Sequence, residues 1–522
     1  MRKSGILMHI SSLPSKFGIG KMGKSAYDFV DFLSNAGVKC WQVLPISPTS
    51  FGDSPYQSFS VYAGNPYFID FELLKSDGIL KKSDYENYKW QNNSFEVDYK
   101  RIYESTFKVL KTAYKNYRNE LSALYFKFTE DNKLWLDDYA LFMTLKFKND
   151  GKAWYEWDKS LAMRDSKALA KAREDYKKDI DFFKFVQYKF YRQWHNLKQY
   201  ANDKGIEIIG DMPIYTAYDS ADVWCNPELF QLDEQKRPVD VAGCPPDAFS
   251  KTGQLWGNPL YNWEYHKKGT LGKQTNPLGE TKNEPYKWWR QRIEFSVKIF
   301  DIVRIDHFRG FESYYAIPAN AETAETGEWR KGPGAELFKT IEAKLGKLNL
   351  ISEDLGFLTP EVEEMLKEVG YPGMKIMQFA FGGDSSNEYL PHNFTTNNTV
   401  VYTGTHDNPT LKGWVNSLSK KALKHCFDYL NIEKKKDIPD AIIRLAWATC
   451  GDLAIAQMQD FLKAEENARM NTPSTLGINW KYRIQSSDLT EDLAKQIKSL
   501  NKLFNRLEEK TKEESKIKKE KK

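Results

Sequence analysis

The chain has 522 residues, enough to bury a large core and to hold more than one subdomain. Its 76 basic and 71 acidic residues leave a formal charge of only +5 with no compact basic patch, so no nucleic-acid partner is expected. A mean hydropathy of −0.63 and the lack of a long apolar run argue against a membrane span, and the first nine residues hold too short an apolar stretch for a signal peptide.

Eight short apolar runs recur, at 5–9, 40–46, 206–211, 302–306, 348–353, 374–381, 400–407 and 453–460. Each is continuous and rich in Val, Ile, Leu and aromatics, as buried parallel strands are. Helical patterns separate most of them. Eight strands alternating with helices predict an α/β fold of the (β/α)8 TIM-barrel type, whose active site lies at the C-terminal strand ends. Nearly every run stops at a polar residue, so Asp211, Asp306, Glu353 and Asp407 are expected to converge on one mouth.

In chain order, Ser25 is placed to cap a helix with Ala26, Phe29, Val30, Leu33 and Ala36 on one face and Gly37 at its end. The segment 18–25 fits both GxGxxG and GxxxxGK[ST], which taken literally is a phosphate loop. Its context is poor, because seven residues including Pro14 separate it from the first strand. A Gly-rich loop before a capped helix is the simpler reading.

A plain barrel needs about 250 residues, so roughly half of this chain is insertion. The barrel spans 1–507. A mostly helical insertion is expected at 47–180, with helical patterns at 104–117 and 133–147, and a Gly/Pro/aromatic-rich lid at 215–284. Further helices are expected at 182–202, at 286–300 and from Thr359-Pro360 to Gly370. No C-terminal β-domain follows the last strand, and 508–522 is a charged tail. The five cysteines, Cys40, Cys225, Cys244, Cys426 and Cys450, lie far apart without a CxxC pair. They read as reduced, mostly buried thiols of a cytoplasmic protein. Trp, Tyr and Phe make up 14% of the residues. Most belong to a large core; those in Gly/Pro-rich loops are candidates for stacking on sugar rings.

Strand alternation puts Arg304 and Asp306 on one face, where the guanidinium favours an ionised carboxylate. A buried structural ion pair would use the same residues. Glu353 ends the next strand, and two neighbouring acids, one ionised and one protonated, are the equipment of glycosidic cleavage. Asp354 beside it suits a helix cap. The His406-Asp407 pair could bind metal, relay protons or hold sugar hydroxyls. With only seven His and no close pair, no metal site is expected and sugar binding fits better. For Asp211, bonding to loop amides and direct substrate contact are equally open.

Several ordered stretches together resemble the amylomaltases, or 4-α-glucanotransferases, relatives of the α-amylases. They are Gly52-Asp-Ser-Pro-Tyr-Gln-Ser-Phe-Ser with Gly64-Asn-Pro-Tyr, Gly210-Asp-Met-Pro-Ile, Pro245-Pro-Asp with Gly253-Gln-Leu-Trp-Gly-Asn-Pro, Val303-Arg-Ile-Asp-His-Phe-Arg-Gly, Ser352-Glu-Asp-Leu-Gly, Gly404-Thr-His-Asp-Asn and Arg469-Met-Asn. The resemblance spans most of the chain. It implies Asp306 as nucleophile, Glu353 as general acid/base and Asp407 as the third acid, holding sugar hydroxyls. It further implies substrate contacts from Ser54, Tyr56, Asp211, Arg304, His406, Trp256 and Asn471, with Gln254, Asn258 and Pro259 in a loop over the acceptor side. Phe51 stands where some relatives carry Tyr at a second glucan site. The sequence departs from the family pattern at Pro409, often an acid, and at Ser474, usually Gly.

The activity so implied is transfer of α-1,4-glucan segments from donor to acceptor glucans by a retaining double displacement, without metal or organic cofactor. A hydrolase of the same fold would carry the same carboxylates. A nucleotide-dependent kinase or a glycan-binding scaffold is the reading from other classes.

Overall fold

The computed structural model describes residues 2–117, 122–246, 250–269, 284–356 and 358–507. Its strands are β1 (Lys3–Leu7), β2 (Cys40–Gln42), β3 (Glu207–Pro213), β4 (Asp240–Cys244), β5 (Gln254–Pro259), β6 (Ile302–Asp306), β7 (Ser313–Pro318), β8 (Glu328–Lys331), β9 (Leu350–Ser352), β10 (Gly373–Ile376), β11 (Thr399–Tyr402) and β12 (Leu453–Gln457). Eight of them form one parallel sheet in the order β10-β11-β12-β1-β2-β3-β6-β9, nearly closed into a barrel with helices around it. These are the eight predicted runs. Several strands are shorter than their runs, because the chain turns before the apolar residues stop. β10 gives way to a 3₁₀ turn at Met377–Phe379, and β11 ends at Tyr402. Asp407 and Asp460 therefore lie beyond strand ends and not on them, which corrects the expectation.

Alternation explains the layers. Leu7, Ile209, Ile302, Met374, Val400 and Ile455 fill the barrel interior, whereas Ile6, Ile208 and Val303 face the helices. Among those helices, Lys177–Asp203 buries Trp194, whose indole N–H donates to Ile299 O at 3.0 Å. Truncating such a side chain to Ala costs about 3–5 kcal/mol.

The ladder is not continued between β9 and β10. That seam is held by Ser352 N donating to Pro372 O (2.9 Å) and by Met374 N donating to the Asp354 carboxylate (2.6 Å). Asp354 is thus a staple and not a helix cap. Burial pushes its carboxyl up to about 6, with Met374 N opposing. Helix Pro360–Val369 starts after Thr359 and stops at Gly370 (φ 72°), as its capping residues predict.

The first helix is Lys24–Asn35, capped by Gly23 and not by Ser25, which lies inside it. Gly23 packs so closely on the Asp70 carboxylate that a Cβ would stand 2.1 Å from its oxygen. An anion already occupies the place a phosphate would need. Lys24 pairs with Asp28 on the surface. The phosphate-loop match is therefore coincidental.

Between β2 and β3 the chain is mostly helical, with Tyr99–Tyr117 and Lys133–Lys148 close to their predicted limits. The 215–284 stretch departs from a plain loop. Its β4 and β5 pair antiparallel, and β7 and β8, which follow Asp306, extend them into a four-stranded sheet in the order β5-β4-β7-β8. The five cysteines form no disulfide; only Cys40 and Cys426 are buried, and Cys450 is exposed, so "mostly buried" was too strong. No described helix is long and apolar enough to cross a membrane.

Candidate active site

Strand register assembles the first wall. Asp211 on β3 lies directly opposite Arg304 on β6, and Pro213 opposite Asp306. On the opposite, helix-facing side of β3, Gly210 makes room for Phe300: a Cβ there would run into its ring at 2.2 Å. Arg304 Nη1 donates to both Asp211 oxygens at 2.8 and 2.7 Å and to Asp306 Oδ1 at 3.1 Å. Its Nη2 stands 3.9 Å from Glu353. Tyr56 Oη donates to Asp211 Oδ2 at 3.0 Å. The Asp211 side chain is 0% exposed, so it reaches the mouth through Arg304 and Tyr56; of the two readings left open, the loop-amide bond has no counterpart among the described residues.

Glu353 follows β9 by one residue. Its N–H donates to Ile305 O (3.1 Å) and its carbonyl accepts from Phe308 N (3.0 Å), which fixes it beside Asp306. His307 sits in the left-handed region (φ 51°), and this turn aims its N–H at the Glu353 carboxylate, 2.5 Å away. Burial is the main reason that both Asp306 and Glu353 are pushed above the usual carboxylate range. Arg304 opposes the push at both; Glu353, Asp211 and Asp407 add to it at Asp306. The expectation of an Asp306 simply ionised by Arg304 is therefore half the balance. Two acids face one guanidinium already engaged by Asp211, and the pair holds a proton more firmly than free carboxyls do.

The second wall is built from loops. Asp407 Oδ1 accepts from Asn471 Nδ2 at 2.6 Å and lies 3.3 Å from His406 Nε2. Arg469 donates to the Asp407 carbonyl (2.5 Å), and Asn471 N to that of His406 (3.0 Å). The His406 ring stacks on Tyr56, centroids 5.0 Å apart and 11° from parallel, with Trp480 near both. Burial lowers the His406 pKa and keeps it neutral at pH 7, so it offers a neutral donor or acceptor beside Asp407.

β5 carries the residues expected on the acceptor side. Trp256 meets His307 edge-on at 4.9 Å, and its indole N–H donates to Gln254 Oε1 (3.1 Å). Asn258 and Pro259 are buried at the end of β5. Asn258 donates to Thr216 O (2.8 Å) and accepts from Gln57 Nε2 (3.0 Å), while Pro259 pairs with Val241. Ser54 Oγ accepts from Tyr56 N (3.2 Å) and shapes the turn that delivers Tyr56. The side chain of Phe51 lies outside the described residues, as does Asp247 of the Pro245-Pro-Asp stretch. Gln57, His307 and Trp480 were not singled out from sequence. Gln57 and His307 stood within the quoted motifs; Trp480 had no such signal. Among the described residues no group of three His, Cys, Asp or Glu side chains could hold a metal ion.

A family model described as 4-alpha-glucanotransferase matches residues 8–490. The chain belongs to this family. It is 48% identical to a 4-alpha-glucanotransferase of Clostridium butyricum, over 96% of this chain and 100% of that one. A 4-alpha-glucanotransferase of Aquifex aeolicus is 44% identical over 93% and 96%. The amylomaltase from Streptococcus agalactiae, solved in complex with acarbose, superposes with a TM-score of 0.91 at 44% identity, covering 97% of this chain and 100% of that one. This 4-alpha-glucanotransferase family accounts for the sequence motifs, which the fold gathers around one mouth.

Proposed function

We propose that this chain transfers α-1,4-glucan segments to the 4-OH of an acceptor glucan or glucose by retaining double displacement. The observation that carries the mechanism is the juxtaposition of Asp306 and Glu353 around Arg304 at the C-terminal ends of adjacent strands. Asp306 attacks the anomeric carbon as the glycosidic C–O bond breaks, and Glu353 gives its proton to the departing oxygen. A β-glycosyl ester of Asp306 results. The acceptor hydroxyl then attacks the same carbon, Glu353 takes its proton, and the ester bond breaks to restore the carboxylate. Arg304 touches Asp306 at 3.1 Å and stands 3.9 Å from Glu353, which favours the charge on Asp306; the His307 N–H at Glu353 acts the other way, and the roles are those that the family motifs imply.

Asp407, held by Asn471 and His406, grips hydroxyls of the distorted sugar. The 215–284 stretch acts as a lid that seats the acceptor and excludes water, and 47–180 is a helical insertion subdomain over the mouth. The tail 508–522 lies outside the described residues. The lack of a disulfide among the described residues supports a cytoplasmic location. The test is incubation with maltotriose and separation of products by chain length. Transfer yields glucose together with longer chains; shorter chains alone would mean hydrolysis.

A further inference from the structure

Asp460 lies just beyond β12, and nothing in the mechanism above uses it. The structure gives it a specific setting. Thr403 Oγ1 donates to Asp460 Oδ2 at 2.6 Å and Leu411 N donates to Asp460 Oδ1 at 2.8 Å. Thr403 and Leu411 are the two ends of the loop that carries His406 and Asp407. Asp460 is 2% exposed, and no basic side chain pairs with it among the described residues. A buried carboxylate without a cation is costly, so its two aimed donors are what stabilise it there. Burial pushes this carboxyl up to about 7, and the two donors oppose the push. The same loop is tied from within by Asn408, whose Oδ1 accepts from Thr405 N (2.8 Å), and from below by Gln378, which donates to Pro409 O (2.9 Å). Among the described residues only the Asp460 side chain bonds both ends.

We propose that Asp460 is a positioning residue, whose carboxyl clasps the two ends of the 403–411 loop and so sets where Asp407 stands in the mouth. The proposal rests on the reading of Asp407 as a group that acts on the sugar. It predicts a kinetic role and not merely a structural one. Asp460→Ala removes both acceptors, and the misplaced Asp407 is expected to lower kcat on maltotriose about 10- to 100-fold per folded molecule, since a displacement near 1 Å has that order of effect. Asp460→Asn keeps the clasp: its oxygen accepts from Leu411 N while its amide donates to the Thr403 hydroxyl, so kcat is expected to recover to within about threefold of wild type. Thr403→Val breaks one arm and is expected to fall between.

The decisive comparison is Asp460→Ala made in wild type and in Asp407→Asn. If Asp460 works through Asp407, its loss costs far less in the second background. An equal cost in both backgrounds overturns the proposal. So does wild-type kcat in folded Asp460→Ala with only a lower melting temperature. If that variant does not fold, Thr403→Val carries the same test, and wild-type kcat there overturns the proposal. Full activity in Asp407→Asn instead overturns the reading of Asp407 itself, and the proposal with it.

Discussion

The two walls of the mouth are built on different principles. On one, Asp211, Arg304 and Asp306 take their places from the register of β3 against β6, and Glu353 from the strand beside them. Their side chains are 0%, 3%, 27% and 13% exposed. On the other, Asp407 is 42% exposed and stands on a loop braced by a second loop. That bracing loop needs left-handed backbone at Ser474, Gly477 and Trp480. The carboxylates proposed to drive bond cleavage are placed by the sheet. The groups proposed to grip the sugar sit on loops, where geometry is set by a few replaceable hydrogen bonds.

The comparison predicts that substitutions on the strand wall abolish activity with little harm to the fold. Asp306→Asn is expected to lower transfer by on the order of 10⁴- to 10⁶-fold. Its stability effect has a definite sign. Asp306 carries a raised pKa in the fold, so its ionisation opposes folding as pH climbs above the ordinary carboxylate range. The neutral variant is freed of this, and its melting temperature is expected to rise by about 1–3 °C at pH 7. The gain fades toward about pH 4, where both forms are uncharged. A drop in melting temperature at pH 7, or near-normal turnover, breaks the comparison.

Glu353→Gln is expected to cost about 10²- to 10⁴-fold on maltotriose. It is expected to spare the cleavage of donors with very good leaving groups, such as an α-maltosyl fluoride. Equal loss on both donors removes Glu353 as the acid. On the loop wall, Asn471→Ala frees Asp407 on one side, and kcat is expected to fall about 10- to 100-fold. A change in KM alone would make Asn471 a binding residue only. Smallest is Trp256→Ala, expected to slow transfer severalfold and to raise the share of hydrolysis, read from the ratio of longer products to glucose. An unchanged ratio with a lowered melting temperature would mean that the ring merely packs the lid on His307.

The strand wall was legible in the sequence because parallel strands buried on both faces are continuous apolar runs, and the acids interrupt them. Alternation alone put Arg304 with Asp306. What it could not supply was the third partner: the bond from Arg304 to Asp211 crosses 93 residues. The loop wall was legible only in pieces. His406, Asp407 and Asn471 were named from motifs, but Trp480 sits in a segment without periodicity. β7 and β8 were missed although they pair with each other across residues 319–327 and the run Tyr314-Tyr-Ala-Ile carries strand propensity; only the third partner, β4, is remote in sequence. Asp460 was seen as the end of a run and given no role, since its partners, Thr403 and Leu411, have no sequence signature.

The open seam beside β9 gives the molecule a compliant joint. Every other neighbouring pair of barrel strands shares a ladder, whereas β9 and β10 are buttoned at Ser352 and Asp354, on either side of Glu353. Glu353, the proposed acid and base, is thus mounted on the one stave of the barrel that can yield without tearing the sheet. Deuterium uptake at the Ser352 and Met374 amides, compared with and without bound oligosaccharide, would show whether the joint tightens when the mouth is filled.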